Sequence, residues 1–205
     1  MEQDVRPTGR PRDSRIDHAV LAATADLLAE VGYSGLRWDA LALRAGTTKP
    51  AIRRRWPSQR HLVVDALAST VGTTPTPSTG CTYCDLVAGI DTLTSAFTTT
   101  IAATVLPPLV ADLHSDPELR KSFLERFFHP RRASTAAAIE RGIARGDIRP
   151  DVSVDLLLDM LAATTYYRLV FAHLPITSQL SEEVVTLILS GVATPRLFDE
   201  HKSHA

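Results

Sequence analysis

The chain has 205 residues and a formal net charge of −1, from 22 Lys/Arg against 23 Asp/Glu. That length holds one large domain or two small ones and buries a core without disulfides or a structural metal, and near-neutrality excludes a protein that is basic throughout. The sum hides an asymmetry: residues 1–62 carry 11 Lys/Arg and 7 Asp/Glu, a net of +4, and residues 63–205 carry a net of −5, a split that points to nucleic-acid contact by a basic head joined to an acidic body.

Nothing in the chain alternates with period two, and segments of helical period dominate, so the expected fold is all-α with about nine to ten helices. Residues 1–13 set Arg6, Arg10 and Arg12 among Pro7, Gly9 and Pro11. They read as a flexible basic arm, and an extended Arg-Pro segment suits a narrow A·T minor groove. No apolar stretch of a secretory signal follows Met1. Ser14 to Asp17 is a capping-box-like start. Ile16, Val20, Ala23, Leu27 and Val31 then share one face, and Gly32 ends the helix. A second short helix near 36–45 turns Trp38, Leu41, Ala42 and Ala45 inward. Ala45-Gly46-Thr47 is a tight break. Thr48 caps a third helix through Arg54, with Pro50 tolerated in its first turn. Trp56-Pro57-Ser58 breaks the chain again, and Ser58 caps a fourth helix with Leu62, Val63, Ala66 and Leu67 on its inner face.

Residues 72–80 hold Gly, Pro, Thr and Ser and cannot continue a helix. Cys81 and Cys84 follow, too few for a disulfide framework, which favours a reducing compartment. As a lone Cys-x-x-Cys they lack the second pair of a zinc site; a redox- or metal-responsive role is the alternative they keep open. Further helices are expected at about 84–105, 108–114, 117–128, 130–145, 152–173 and 181–193. The uncharged run Thr92–Ala111 has membrane-spanning length, but seven Ser/Thr and the pair Pro107-Pro108 make it a buried or pocket-lining segment. A cytoplasmic protein with no membrane partner is expected. The resulting division is a basic arm over 1–13, a helix-turn-helix DNA-binding unit over 14–71, a linker over 72–82, a ligand-binding and dimerisation unit over 83–195 and a tail over 196–205.

Three short helices, the last two joined by a turn containing Gly46, make a helix-turn-helix. Its third helix gathers Thr48, Lys49, Ala51, Arg53, Arg54 and Arg55. The last three span about 200° of a helix, so one or two reach bases or phosphates and the rest touch flanking backbone. In the body, the helices at 152–173 and 181–193 are apolar all round and call for burial on every side. A second copy of the chain supplies that burial most simply, through Leu157, Leu161, Val185 and Leu189; the alternative is that both are central helices of a single chain. Thr94, Phe97, Thr98, Ile101, Phe123, Phe127 and Tyr166 are the candidate lining of an apolar pocket with a few polar points. No charged anchor stands out among them. There is no Gly-x-Ser-x-Gly, P-loop or His-Glu-x-x-His, so no enzyme, cofactor or bound metal is expected. A helical interaction module without DNA binding is the remaining rival.

Residues 15–67 resemble the N-terminal DNA-binding domain of the tetracycline-repressor (TetR) family of bacterial regulators. The matching stretches are Leu28-Ala29-Glu30-Val31-Gly32-Tyr33, Leu41-Ala42-Leu43-Arg44-Ala45-Gly46, Thr48-Lys49-Pro50-Ala51-Ile52 and Trp56-Pro57-Ser58. Asp116 to Arg120, Pro130-Arg131-Arg132, Arg145 to Asp151 and Tyr166-Tyr167-Arg168 resemble one C-terminal branch of the same family. The resemblance implies a homodimer on a palindromic double-stranded DNA operator, released by a small-molecule inducer. It places Thr47, Thr48, Lys49 and Ala51 at or near the bases, Arg53 at a phosphate-touching position usually held by Tyr, and Arg54 on backbone or a base. Trp56 takes a core position. Gln59 stands where the family usually has Lys, and Arg60 where it usually has Glu, as if the phosphate-binding cation had moved one place. Arg37 replaces the Ser or Thr that commonly starts helix two, losing a cap worth about 1 kcal/mol and adding a cation beside the DNA.

Overall fold

The computed structural model describes residues 14–194 and Leu197. The expected arm, with Arg6, Arg10 and Arg12, and all but Leu197 of the expected tail lie outside the described residues. The fold is all-α, an N-terminal helix-turn-helix unit followed by a helical bundle. The described elements are α1 (Ser14–Gly35), α2 (Trp38–Arg44), α3 (Lys49–Arg53), α4 (Gln59–Val71), α5 (Thr82–Thr99), α6 (Ala102–Ser115), α7 (Pro117–Phe123), a π-helical turn (Leu124–Phe128), α8 (His129–Arg145), α9 (Val154–Phe171) and α10 (Leu180–Val192).

Local chemistry sets most of the boundaries. Gly32, at φ 70°, breaks the helical path of α1 where the sequence places a stop, and one further turn carries on to Gly35. Thr48, Ser58, Asp116 and Ser153 each accept a backbone N–H three residues on, capping α3, α4, α7 and α9. The expected helix 84–105 is interrupted instead at Thr100-Ile101, where α5 and α6 meet at 93°. The cause is the threonine run. The hydroxyls of Thr98, Thr99 and Thr100 donate to the carbonyls of Thr94, Ser95 and Ala96, competing with the helical ladder and bending it. Pro107 and Pro108, at the boundary between the expected helices 84–105 and 108–114, lie inside α6. The expected helices 117–128 and 130–145 are joined through the π turn. Pro130 cannot donate, and its ring would strike the carbonyl of Arg126 in an ordinary helix; a widened turn relieves both faults.

Two apolar cores result. The first runs through α1–α4 (Val20, Leu28, Leu41, Ile52, Trp56, Leu62, Leu67) and continues without interruption into α5, α6, α7 and the π turn at Phe97, Val105, Leu106, Phe123 and Phe127. Residues 72–81, although non-helical, therefore do not divide this first core between head and body. The second core joins α5, α8, α9 and α10 through Leu86, Ile139, Leu157, Leu161, Val185 and Leu189. Helices α5 and α8 approach closely at Gly142, where a Cβ would lie 2.8 Å from the Thr82 methyl and 3.1 Å from Ile148. No single described helix is long and apolar enough to cross a membrane.

Candidate nucleic-acid interface and internal cavity

The reading head is built from α2, its turn and α3. Gly46 takes φ +61°, a conformation that costs a side chain but not glycine. The turn closes on itself: the Gly46 N–H donates to the Leu43 carbonyl at 3.3 Å and the Thr47 N–H to the Ala42 carbonyl at 3.0 Å. Five residues of isolated helix would not hold their shape. Ile52 fixes α3 by inserting its fully buried side chain into the first core. Trp56 is buried just beyond, as the sequence suggests, and its Nε1–H donates to Asp65 at 2.8 Å. Asp65 also receives Arg126 of the π turn at 2.8 Å, a link between head and body that sequence spacing does not reveal.

With α3 so anchored, Arg53, Arg54 and Thr48 face outward, and Thr47, Lys49 and Ala51 are partly exposed. Among the described residues, no ion pair holds Arg53 or Arg54. Lys49 meets Asp39 at 2.6 Å, an exposed pair of the kind worth under about 1 kcal/mol and open to competition by phosphate. Arg37 stands at the N-cap of α2 without a side-chain cap bond, as the sequence implies. Its Nη1 donates to the carbonyls of Ser34 and Leu36, closing the α1–α2 loop.

Three of the sequence-derived candidates have partners within the chain, Arg60 while still half exposed. The Nε–H of Arg55 donates to Asp17 of α1 at 2.5 Å and its Nη1 donates to the Ala51 carbonyl, leaving 13% of the side chain exposed. Gln59 donates to the Leu36 carbonyl at 3.2 Å. Arg60 turns to Asp112 of α6 at 3.0 Å. Asp112 accepts the Tyr33 hydroxyl as well, at 2.5 Å, and burial followed by that bond raises the phenol well above its ordinary pKa. The shift of a cation from position 59 to position 60 thus serves a junction between α1, α4 and α6. The basic surface of α3 narrows to Arg53, Arg54 and Lys49.

A cavity of about 90 Å³ lies below the head, between the end of α4, the linker, α5, α8 and α9. Phe97 and Tyr166 line it as expected, their rings packed edge to face at 4.8 Å. The other expected lining residues lie elsewhere: Phe123 and Phe127 are in the first core, Thr94 bonds Ser181, Thr98 and Ile101 sit at the α5–α6 bend. The wall supplies what the sequence reading lacked, a cation. Arg131 lines the cavity, with its guanidinium 4.0 Å above the Phe127 ring. Its Nη1 donates to the Phe127 carbonyl at 2.6 Å and its Nη2 donates to the carbonyl of Gly72, the C-cap of α4. Burial pulls its pKa below the usual arginine value, partly offset by Tyr166. Tyr166, partly buried beside it, is pushed up by desolvation to about 12, so its hydroxyl is neutral at pH 7. Arg132, also on the wall, is neutralised by Asp159 at 2.6 Å and Asp155 at 3.0 Å.

The expected dimer residues need correction. Leu157, Leu161, Val185 and Leu189 are 2% exposed or less within one chain, filling its own second core. The outer faces of α9 and α10 carry Leu156, Met160, Tyr167, Phe171 and Leu187 instead, all exposed. The apolar content of these helices exceeds one face, and only their packing decides which face turns inward.

Cys81 and Cys84 have a structural role. Cys81 is buried and its sulfur accepts the Cys84 N–H at 3.2 Å, capping α5. Burial and the neighbouring Cys81 push the Cys84 thiol up to about 11, which suppresses the thiolate that redox or metal chemistry requires.

Residues 20–66 match the family model described as bacterial regulatory proteins, tetR family, and residues 76–188 match the tetracyclin repressor-like C-terminal domain. The uncharacterised HTH-type transcriptional regulator YdeS of Bacillus subtilis is 30% identical over 185 residues, 90% of this chain and 93% of its own. The HTH-type transcriptional regulator AqdR of Rhodococcus erythropolis is 32% identical over 181 residues, 88% and 86% of the two chains. Among solved structures, the TetR family transcription regulator SCO0332 superposes with a TM-score of 0.72 at 29% identity, over 88% of this chain and all of that one.

Proposed function

This chain belongs to the TetR family of bacterial regulators and is a DNA-binding transcriptional regulator of the helix-turn-helix type, and on that premise we propose that it is a homodimeric repressor, bound to a palindromic operator and released by a small molecule. The observation that carries the DNA contact is the presentation of Arg53 and Arg54. Both are exposed on a helix fixed by Ile52, with no acidic partner among the described residues. One or both enter the major groove, with Lys49 and Arg37 on flanking phosphate. Gln59 and Arg55 hold the head in shape instead, and Arg60, half exposed beside Asp112, supports the junction with α6. The apolar outer faces of α9 and α10 support a two-fold interface, and the cavity against the end of α4 supports ligand control, since α4 is the helix that joins reader to body.

Footprinting on DNA upstream of the gene and its neighbours tests the proposal. A protected inverted repeat, with half-sites one helical turn or a small multiple apart, is expected. Protection of a single asymmetric half-site would refute the dimeric reading, and loss of all protection would refute the operator.

A further inference from the structure

We propose that the cavity between α4, α5, α8 and α9 takes a small apolar molecule bearing a single carboxylate, held by Arg131; this rests on reading the cavity as the ligand site.

The argument is one of charge and donors. The cavity wall is mostly apolar, Ile90, Leu93, Phe97 and Leu158 among it, and among the described residues it carries no Asp or Glu. Two arginines line it, and their states differ. Arg132 spends its charge on Asp155 and Asp159. Arg131 has only carbonyl acceptors, those of Phe127 and Gly72, among the described residues. A carbonyl satisfies an N–H but cancels no charge. A guanidinium has five N–H donors, so three remain after those two bonds, enough for a forked carboxylate contact. A half-buried cation without a counter-ion, next to an apolar wall, favours a ligand that brings the missing charge. One guanidinium compensates one negative charge, which separates a monocarboxylate from a phosphate monoester, whose second charge would stay unpaired in the same space. The neutral Tyr166 hydroxyl and the side chains of Thr74, Thr76, Thr92 and Thr135 are further polar points of the wall.

The test uses the full-length chain and titration calorimetry, with thermal melting as a second readout. Benzoate and hexanoate are compared with benzamide and hexanamide, which match them in shape without the charge, and with phenyl phosphate. The acids are expected to bind at least about tenfold more tightly than their amides and to raise the melting temperature. Phenyl phosphate is expected to bind more weakly than benzoate. R131Q should abolish the acid-over-amide preference, and R131K should retain part of it. The comparison on the unaltered chain decides the matter even where R131Q does not fold. Equal binding of acid and amide, tighter binding of phenyl phosphate, no binding by any probe, or a preference that survives R131Q overturns the assignment. Operator release is measured separately. An acid that binds through Arg131 without releasing DNA leaves the carboxylate site standing and removes the ligand-controlled reading. An amide that binds as tightly as its acid and releases DNA does the reverse.

Discussion

Arg53, Arg54 and Arg55 are consecutive in sequence and do different work. Helical geometry sends the third back toward α1, where Asp17 meets it at 2.5 Å, while the first two stay exposed. Alanine at Arg53 or Arg54 should weaken operator binding about five- to a hundredfold, with little change in melting temperature. Loss of a phosphate contact should also reduce the slope of log affinity against log salt by about 0.9, and loss of a base contact should leave the slope nearly unchanged. Alanine at Arg55 should act first on the fold, costing about 1–2 kcal/mol because it strands Asp17 and frees the end of α3. Chemical denaturation beside a DNA titration separates the two classes; an Arg55 variant with full stability and lost DNA binding would reverse its assignment. The cysteines give a second prediction at this scale. With the Cys84 thiol at about 11, its thiolate fraction at pH 8 is about a hundredfold below that of an ordinary thiol. Alkylation by iodoacetamide should therefore be slow in the folded chain and fast in denaturant. Rapid modification of the native protein would restore the redox alternative.

At the scale of elements, the legible parts of the sequence were those governed by local chemistry. Thr48, Ser58 and Gly46 announce a cap, a cap and a turn through their own side chains or their lack of one, and the head could be read nearly to the residue. The bend at Thr100 and the π turn at 124–128 could not, because each depends on competition. The sequence places the α5–α6 boundary near 106–107, beside a pair of prolines, whereas the path bends at Thr100, where hydroxyl-to-carbonyl bonds compete with the ladder. Helix burial fared likewise. The apolar surplus of α9 was visible, yet Leu157 and Leu156 are adjacent leucines with opposite fates, and only packing against α5, α8 and α10 tells them apart. The cavity cation was missed for a similar reason. Arg131 sits beside Arg132 in a basic stretch, and only tertiary structure gives aspartates to one and a cavity to the other. Gly142 is the element-scale prediction. Alanine there would set its Cβ 2.8 Å from Thr82, so α5 and α8 must separate, at a cost of about 1–3 kcal/mol that thermal or urea melting would register. The gain in helix propensity of about 1 kcal/mol is too small to offset it. A variant as stable as the parent would show that the α5–α8 contact yields freely.

For the whole molecule, the neutral total charge is a cancellation between a +4 segment and a −5 segment. A one-sided field of that sort orients the head toward DNA and discourages the body from it. Two heads on one operator need a fixed separation, which only a stable contact between bodies provides. In the proposed dimer that contact falls on the exposed row Leu156, Met160, Tyr167 and Phe171 of α9 with Leu187 of α10. Residues 156, 160, 167 and 171 recur at spacings that keep one helical face, and Leu187, 77% exposed, belongs to neither core among the described residues. Glutamate at both Met160 and Leu187 should therefore leave monomer stability nearly intact and place like charges across any two-fold axis through this face. Sedimentation velocity should show a shift from dimer to monomer, and operator affinity should fall by a hundredfold or more as the second half-site is lost. Glutamate at Leu161 or Leu189 should instead unfold the chain, since those leucines are 0% exposed within it. A Met160/Leu187 double variant that remains dimeric would move the interface to another surface, and a Leu189 variant that folds as a stable monomer would return it to the buried row.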